Sequence, residues 1–158
     1  MQNSSIDSVQ QLLFLEARLL DTYRFEDWLN LYSKECTYWV PLELDQPDGI
    51  ETSSIIYDDR TLMEIRIRQY SHGRAHARNP FSRTVHSVSN IQVEAEKADG
   101  IHVFSNLLVG EYRNHSQKTW FANVIHHLVI EPEGLKIKHK RVNLINSEAE
   151  LDGITILF

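Results

Sequence analysis

A chain of 158 residues with 42% hydrophobic and 24% charged residues buries a core of its own, so one domain is expected over residues 1–158. The net charge of −6 argues against nucleic acid as a partner, and no stretch approaches the ~18 apolar residues of a membrane span. Cys36 is the single cysteine, and Met1 to Asp7 lacks the basic and apolar regions of a signal peptide, which together point to the cytoplasm.

In chain order, Ile6, Val9, Leu13, Ala17 and Leu20 recur at spacings of three and four and predict a helix from about Ser5 to Asp21. A second short helix is predicted over Arg24 to Tyr32, with Phe25, Trp28, Leu29 and Tyr32 inward. Cys36 to Leu42 has strand composition, and Pro41 marks an edge or a bulge. After the Asp48-Gly49 turn, Thr52 to Tyr57 reads as a short strand. Asp58 is expected to cap a third helix, Asp59 to Ser71, ended by Gly73 and carrying Leu62, Ile65 and Tyr70 on one face.

From Thr84 onward the period changes to two. Strands are predicted over Val85 to Glu96, Ile101 to Arg113, Thr119 to Glu131 and Leu135 to Asn146. Asp99-Gly100, Asn114 to Gln117 and Pro132-Glu133-Gly134 supply the turns. In the last of these strands Leu135 and Ile137 sit on odd positions, whereas Val142 and Leu144 sit on even ones. That slip predicts a bulge near His139 to Arg141. Ile154 to Phe158 is expected to form a final short strand. Helices first and long antiparallel strands after them predict an α+β domain, a curved sheet folded over the N-terminal helix.

Arginine is concentrated between Arg60 and Arg83, where six of the ten arginines and one acid, Glu64, give about +5. An acidic run precedes it, from Glu43 through Asp45, Asp48 and Glu51 to Asp58 and Asp59. Half of the arginines are expected to pair with that run. The others, Arg74, Arg78 and Arg83, are expected at a subunit interface, as is Arg141 in the strand Lys140 to Leu144.

Eight histidines raise the question of metal or acid-base chemistry. His72 and His76 have helical spacing, but Gly73 between them spoils the geometry. His126 and His127 are adjacent in a strand and point to opposite faces. His86 and His102 are the candidates to line a pocket as general acids or bases, with hydrogen-bonded residues of a sheet interior the better reading of both. Cys36 has no base beside it. No catalytic, cofactor-binding or metal-ligating set is expected in this chain.

The ordered motifs carry more. Glu16-Ala17-Arg18-Leu19-Leu20-Asp21, Trp28-Leu29, Tyr38-Trp39-Val40-Pro41 and Asp58-Asp59-Arg60 with Glu64 and Arg66 come first. Pro80-Phe81-Ser82-Arg83-Thr84-Val85-His86, Ser89-Asn90, Ser105-Asn106 and Lys140-Arg141-Val142-Asn143-Leu144 follow. In this order they resemble the small (β) subunit of Rieske non-haem iron aromatic-ring-hydroxylating dioxygenases. The resemblance implies the cone-shaped α+β fold of nuclear transport factor 2 and scytalone dehydratase, a cystatin-like architecture with a mixed or antiparallel sheet. It implies a structural subunit of an α3β3 oxygenase in bacterial aromatic catabolism, trimeric in itself. The α partner would hold the Rieske [2Fe-2S] cluster and the mononuclear Fe(II), fed by a ferredoxin and reductase. Two departures stand out: Val85 where an arginine is common, and Ala122 to His127 where a charged stretch is usual.

One cysteine cannot supply the two cysteines that a Rieske cluster needs beside its two histidines. Two other readings remain open for the sequence: a stand-alone dehydratase, isomerase or cyclase of the same fold using a pocket histidine and an acid, and a non-enzymatic ligand-binding module. A stand-alone enzyme keeps a working polar pair in an open cone, and an assembly subunit fills the cone with side chains.

Overall fold

The computed structural model describes residues 2–75, 81–151 and 153–158, and the main chain alone for 2–4 and 72–75. Three helices, α1 (Gln2–Asp21), α2 (Phe25–Leu29) and α3 (Arg60–Ala75), accompany six strands. The strands are β1 (Tyr32–Pro41), β2 (Ser54–Asp59), β3 (Arg83–Lys97), β4 (Gly100–Arg113), β5 (Ser116–Glu131) and β6 (Gly134–Leu144). They form one sheet in the order β2-β1-β6-β5-β4-β3. All neighbours are antiparallel except β1 and β6, which are parallel, so the sheet is mixed.

Burial alternates along the long strands. Odd positions of β4 (Ile101, Val103, Leu107, Val109) and even positions of β5 (Trp120, Ala122, Val124, Leu128) point inward and are buried. The two-residue turn Asn114-His115, both residues at positive φ, sets this register by pairing Arg113 with Ser116. In β6 the pairing passes from His127↔His139 to Leu128↔Ile137, leaving Lys138 as the bulge residue. The slip keeps Ile137, Val142 and Leu144 all on the inner face, each 0% exposed. A bulge was expected one residue later.

α1 lies across the inner face against β3, with Val9, Leu13, Ala17 and Leu20 buried. α2 is shorter than expected, and Tyr32 opens β1 instead of closing the helix. Pro41 ends β1 at a register shift against β2, and β1 itself is an interior strand. In α3 the buried residues are Met63 and Ile67, with Tyr70 partly buried, whereas Leu62 and Ile65 are 47% and 42% exposed. The expected face was therefore the wrong one of two apolar stripes. The cap also moves by one residue: the Leu62 N–H donates to Asp59 Oδ1 at 2.9 Å, and Asp58 points inward. Gly73 lies within the helix and does not end it.

The final stretch is not a strand. Residues 153–158 have no regular secondary structure, and Ile156, Leu157 and Phe158 are buried. Side chains tie the stretch down along its length. Lys140 Nζ donates to the Phe158 main-chain oxygen at 2.6 Å, and the Phe158 N–H donates to Tyr38 Oη at 2.9 Å. His86 Nε2 lies 2.8 Å from the Leu157 oxygen, and Tyr70 Oη donates to the Ile156 oxygen at 3.3 Å. These bonds hold the segment against β1, β3, β6 and α3.

Candidate functional site

Buried polar groups lie on the inner face of the sheet beneath α1, and their partners decide what chemistry the interior can do. Glu16, on α1, is 4% exposed and accepts four bonds. Trp28 Nε1 (2.9 Å), Tyr32 Oη (3.2 Å) and Lys140 Nζ (3.0 Å) converge on its Oε2. His126 Nε2, 2.9 Å away, bonds its Oε1. Burial pushes the Glu16 carboxyl up, but the Lys140 ammonium and the His126 hydrogen bond outweigh it and hold the group well below the usual carboxylate range. Burial lowers both Lys140 and His126. The balance leaves an ionised lysine–glutamate pair with a neutral imidazole donating to it from Nε2.

This constellation is saturated. Both carboxylate oxygens are engaged by fixed donors and the side chain is 5% exposed, so a substrate has no open route to this group. His126 Nδ1 has no hydrogen-bond partner among the described residues. His126 lines a void of about 10 Å³ with Leu13, Val124 and Lys140, which is the size of a single water at most.

His86 is the other inward histidine. Asp21 grips it twice, at Nδ1 (2.5 Å) and at the main-chain N–H (2.9 Å), while Nε2 faces the Leu157 oxygen. A histidine–acid pair was anticipated as the mark of a stand-alone enzyme. Here both ring nitrogens are occupied, and the adjoining cavity, lined by Tyr23, Phe25, Tyr70 and Phe81, measures about 50 Å³. A cavity that admits benzene is about 150 Å³, so no aromatic ring fits. Glu111 is likewise consumed. It accepts from Ser82, from Thr155 Oγ1 at 3.0 Å and from Trp120 Nε1 at 3.1 Å. Cys36 is buried, and burial pushes its thiol up, which disfavours the reactive thiolate.

The arginines divide. Arg66 makes a two-pronged pair with the buried Asp58, through Nε at 2.6 Å and a second nitrogen at 3.1 Å. Arg60 donates to the Tyr32 and Ser33 carbonyls. Among the described residues, Asp58 is the only acid of the run Glu43 to Asp59 that pairs with an arginine of the stretch; Asp48 and Asp59 bond local main-chain N–H groups instead. Arg78 and His76 lie outside the described residues, as do the side chains of Arg74 and His72. Arg83 is exposed on β3 with its guanidinium 5.1 Å from the Tyr112 ring centroid. Arg141 stands on the outer face of β6, 4.4 Å over Trp39, and donates to Asn143 Oδ1 and the Leu44 oxygen.

That outer face is uncovered. Leu108, Phe121 and Ile145 form one cross-strand row at 40%, 44% and 62% exposure, with Val85 (69%) and Tyr112 (39%) beside it. Sequence reasoning singled out Val85 as a departure but passed over Leu108, Tyr112, Phe121 and Ile145, because each is an unremarkable apolar residue in or beside an alternating strand. Their meaning comes from the row that register builds.

A family model for the ring-hydroxylating beta subunit matches residues 15–150. The chain belongs to that family. It is similar to the benzoate 1,2-dioxygenase subunit beta of Acinetobacter baylyi, 32% identical over 147 residues that cover 90% of this chain and 87% of that one. It is similar in structure to the beta subunit of the benzoate 1,2-dioxygenase of Burkholderia mallei, with a TM-score of 0.77, 28% identity and coverage of 92% and 95%. An NTF2-like protein with a cystatin-like fold from Novosphingobium aromaticivorans shares the fold, with a TM-score of 0.67 at 13% identity over 94% of this chain and 86% of that one. The α+β cone expected from the sequence is thus the fold of this beta subunit. A Rieske cluster does not fit its residues, since Cys36 alone cannot supply two thiolates.

Proposed function

We propose that this chain is the assembly subunit of a multicomponent aromatic-ring-hydroxylating dioxygenase and has no catalytic role of its own. The observation that carries the proposal is the closed cone of a ring-hydroxylating beta subunit. Among the described residues its interior acids and histidines are hydrogen-bonded, His126 through Nε2 alone, and the cavities beside His126 and His86, about 10 and 50 Å³, are too small for an aromatic substrate. What remains available is surface.

The partner is a catalytic α subunit, which carries the Rieske [2Fe-2S] cluster and the mononuclear Fe(II). A ferredoxin and reductase supply electrons to it. Three copies of each chain make an α3β3 body in the cytoplasm, serving aromatic-compound degradation. The docking surface is the outer sheet face, where Leu108, Phe121 and Ile145 provide an apolar centre and Arg83 with Tyr112 a stacked polar border. Arg141 belongs to the same face, and Arg74 and Arg78 are assigned to the interface on the charge surplus alone.

The test is turnover of an aromatic substrate with reductant and oxygen. The chain alone should give no product, and adding the large subunit should restore hydroxylation. Product from the chain alone, surviving removal of trace partner, would overturn the reading.

A further inference from the structure

Three histidines that lie far apart in the sequence form a row across the outer face. His102 on β4 is directly opposite His127 on β5, and His127 is directly opposite His139 on β6. The His102 and His127 rings stack with centroids 4.4 Å apart, and the His139 ring lies 5.5 Å from that of His127. Asp99, in the β3–β4 turn, reaches the same end of the row. His102 Nε2 lies 3.3 Å from Asp99 Oδ1, and His127 Nε2 lies 3.8 Å from Oδ2. One ligand atom from each of Asp99, His102 and His127 falls within 4.8 Å of the other two.

We propose that Asp99, His102 and His127 form a binding site for one divalent transition-metal ion, which clamps the β3–β4 turn to β5. Two imidazole nitrogens and a carboxylate suit zinc and its neighbours and suit magnesium or calcium poorly. Ligands bonded at about 2.0–2.2 Å stand roughly 3–3.5 Å apart around a tetrahedral ion. The Asp99–His102 pair already has that spacing. The rest of the contraction falls to the Asp99 side chain, which is 57% exposed, and to His127.

His127 Nε2 donates to the Asp99 main-chain oxygen at 2.7 Å, so metal binding at Nε2 replaces that bond and moves the ring proton to Nδ1. Gly100 makes the approach possible. Its φ is +135°, and a Cβ there would sit 2.1 Å from the Leu128 oxygen and 2.9 Å from His127 Nε2. Closing the turn needs one imidazole. A second imidazole stacked on the first and aimed at the same carboxylate is more than the turn requires. His139 is held by Thr37 through Nδ1 at 2.8 Å, at the side of the cluster, and the open ion positions are left to water.

The site shares the outer sheet face with the proposed docking row but lies six residues along β4 from Leu108, and it is tested on the isolated chain, whatever the outcome for assembly. The full chain, with any affinity tag removed, is titrated with ZnCl2 by calorimetry, with MgCl2 as the hard-ion control. The expected result is one Zn2+ per chain, no response to Mg2+, and a thermal midpoint raised by about 5 °C when Zn2+ is a hundredfold above Kd. Asp99→Asn and His127→Ala should each weaken Zn2+ by roughly tenfold or more, while His115→Ala in the β4–β5 turn, at the other end of β4, should not. Asp99→Asn keeps the side chain's shape on an exposed turn, so its loss of affinity reports the ligand and not the fold. No saturable Zn2+ binding, or equal affinity in all three variants, would overturn the proposal.

Discussion

Lys140 Nζ and Glu16 Oε2 meet at 3.0 Å with side chains only 3% and 5% exposed, joining the middle of β6 to the middle of α1 through the interior. Such a pair is a weak source of net stability, because both ions lose their water, but losing one partner leaves a bare charge inside.

Lys140→Met should therefore destabilise the chain by about 3–5 kcal/mol. Adding Glu16→Gln should recover part of that loss, since a neutral amide leaves no buried charge and still accepts from Trp28 and Tyr32. Urea midpoints at constant m-value measure both. A single variant as stable as the wild type would show that the pair is not buried.

Acid should unfold the protein through the same carboxylate. Glu16 and Glu111 are both held below the ordinary glutamate value of 4.5, so the folded state binds fewer protons than the unfolded one there. Their stabilisation is complete above about pH 4.5 and is lost as pH falls toward the folded values. His126, lowered by burial from its ordinary value of 6.5, adds a contribution of the same sign that is lost as pH falls below that value. Denaturation midpoints between pH 6 and pH 3 should fall steeply in the wild type and less steeply in Glu16→Gln.

Leu144 on the inner face is 0% exposed, and Leu144→Ala should cost about 2–5 kcal/mol. Ile125, on the outer face at 37% exposure, should cost the isolated chain about 0.5 kcal/mol or less when changed to a polar residue. An unchanged thermal midpoint for Leu144→Ala would contradict the assigned face.

Phe121→Asp and Arg83→Ala should leave the folded chain intact and weaken binding to the large subunit, by about 2 kcal/mol or more if the residue sits at the interface centre. Arg141→Ala should lose less binding and some stability, because its guanidinium already serves Asn143, the Leu44 oxygen and Trp39. Sedimentation with and without the large subunit reads both effects. Unchanged binding in all three variants would move the docking surface off this face.

Much of the architecture was legible because period-two alternation has few solutions. The odd-to-even switch between Ile137 and Val142 announced a bulge, and the structure puts it at Lys138. α3 was less legible, since Leu62 and Ile65 form as good a stripe as Met63 and Ile67, and only packing against β1 and β2 chooses between them. Asp58 looked like a cap because an acid before a helix usually is one. Its neighbour Asp59 caps, and Asp58 is drawn inside by Arg66. The saturation of Glu16 was illegible, since its donors Trp28, Tyr32, His126 and Lys140 come from four separate stretches. The histidine row was recoverable in part. The Asn114-His115 turn places His102 opposite His127, but His139 joins them only once the bulge at Lys138 is known.

The most direct measurement is native mass spectrometry of this chain co-expressed with a ring-hydroxylating α subunit, with iron quantified in each separated chain. The account predicts a single α3β3 mass, with the Rieske cluster and the mononuclear iron carried by the α chain. A chain that stays at its own mass beside a folded, iron-loaded α subunit, or one that itself carries the Rieske cluster, would contradict it.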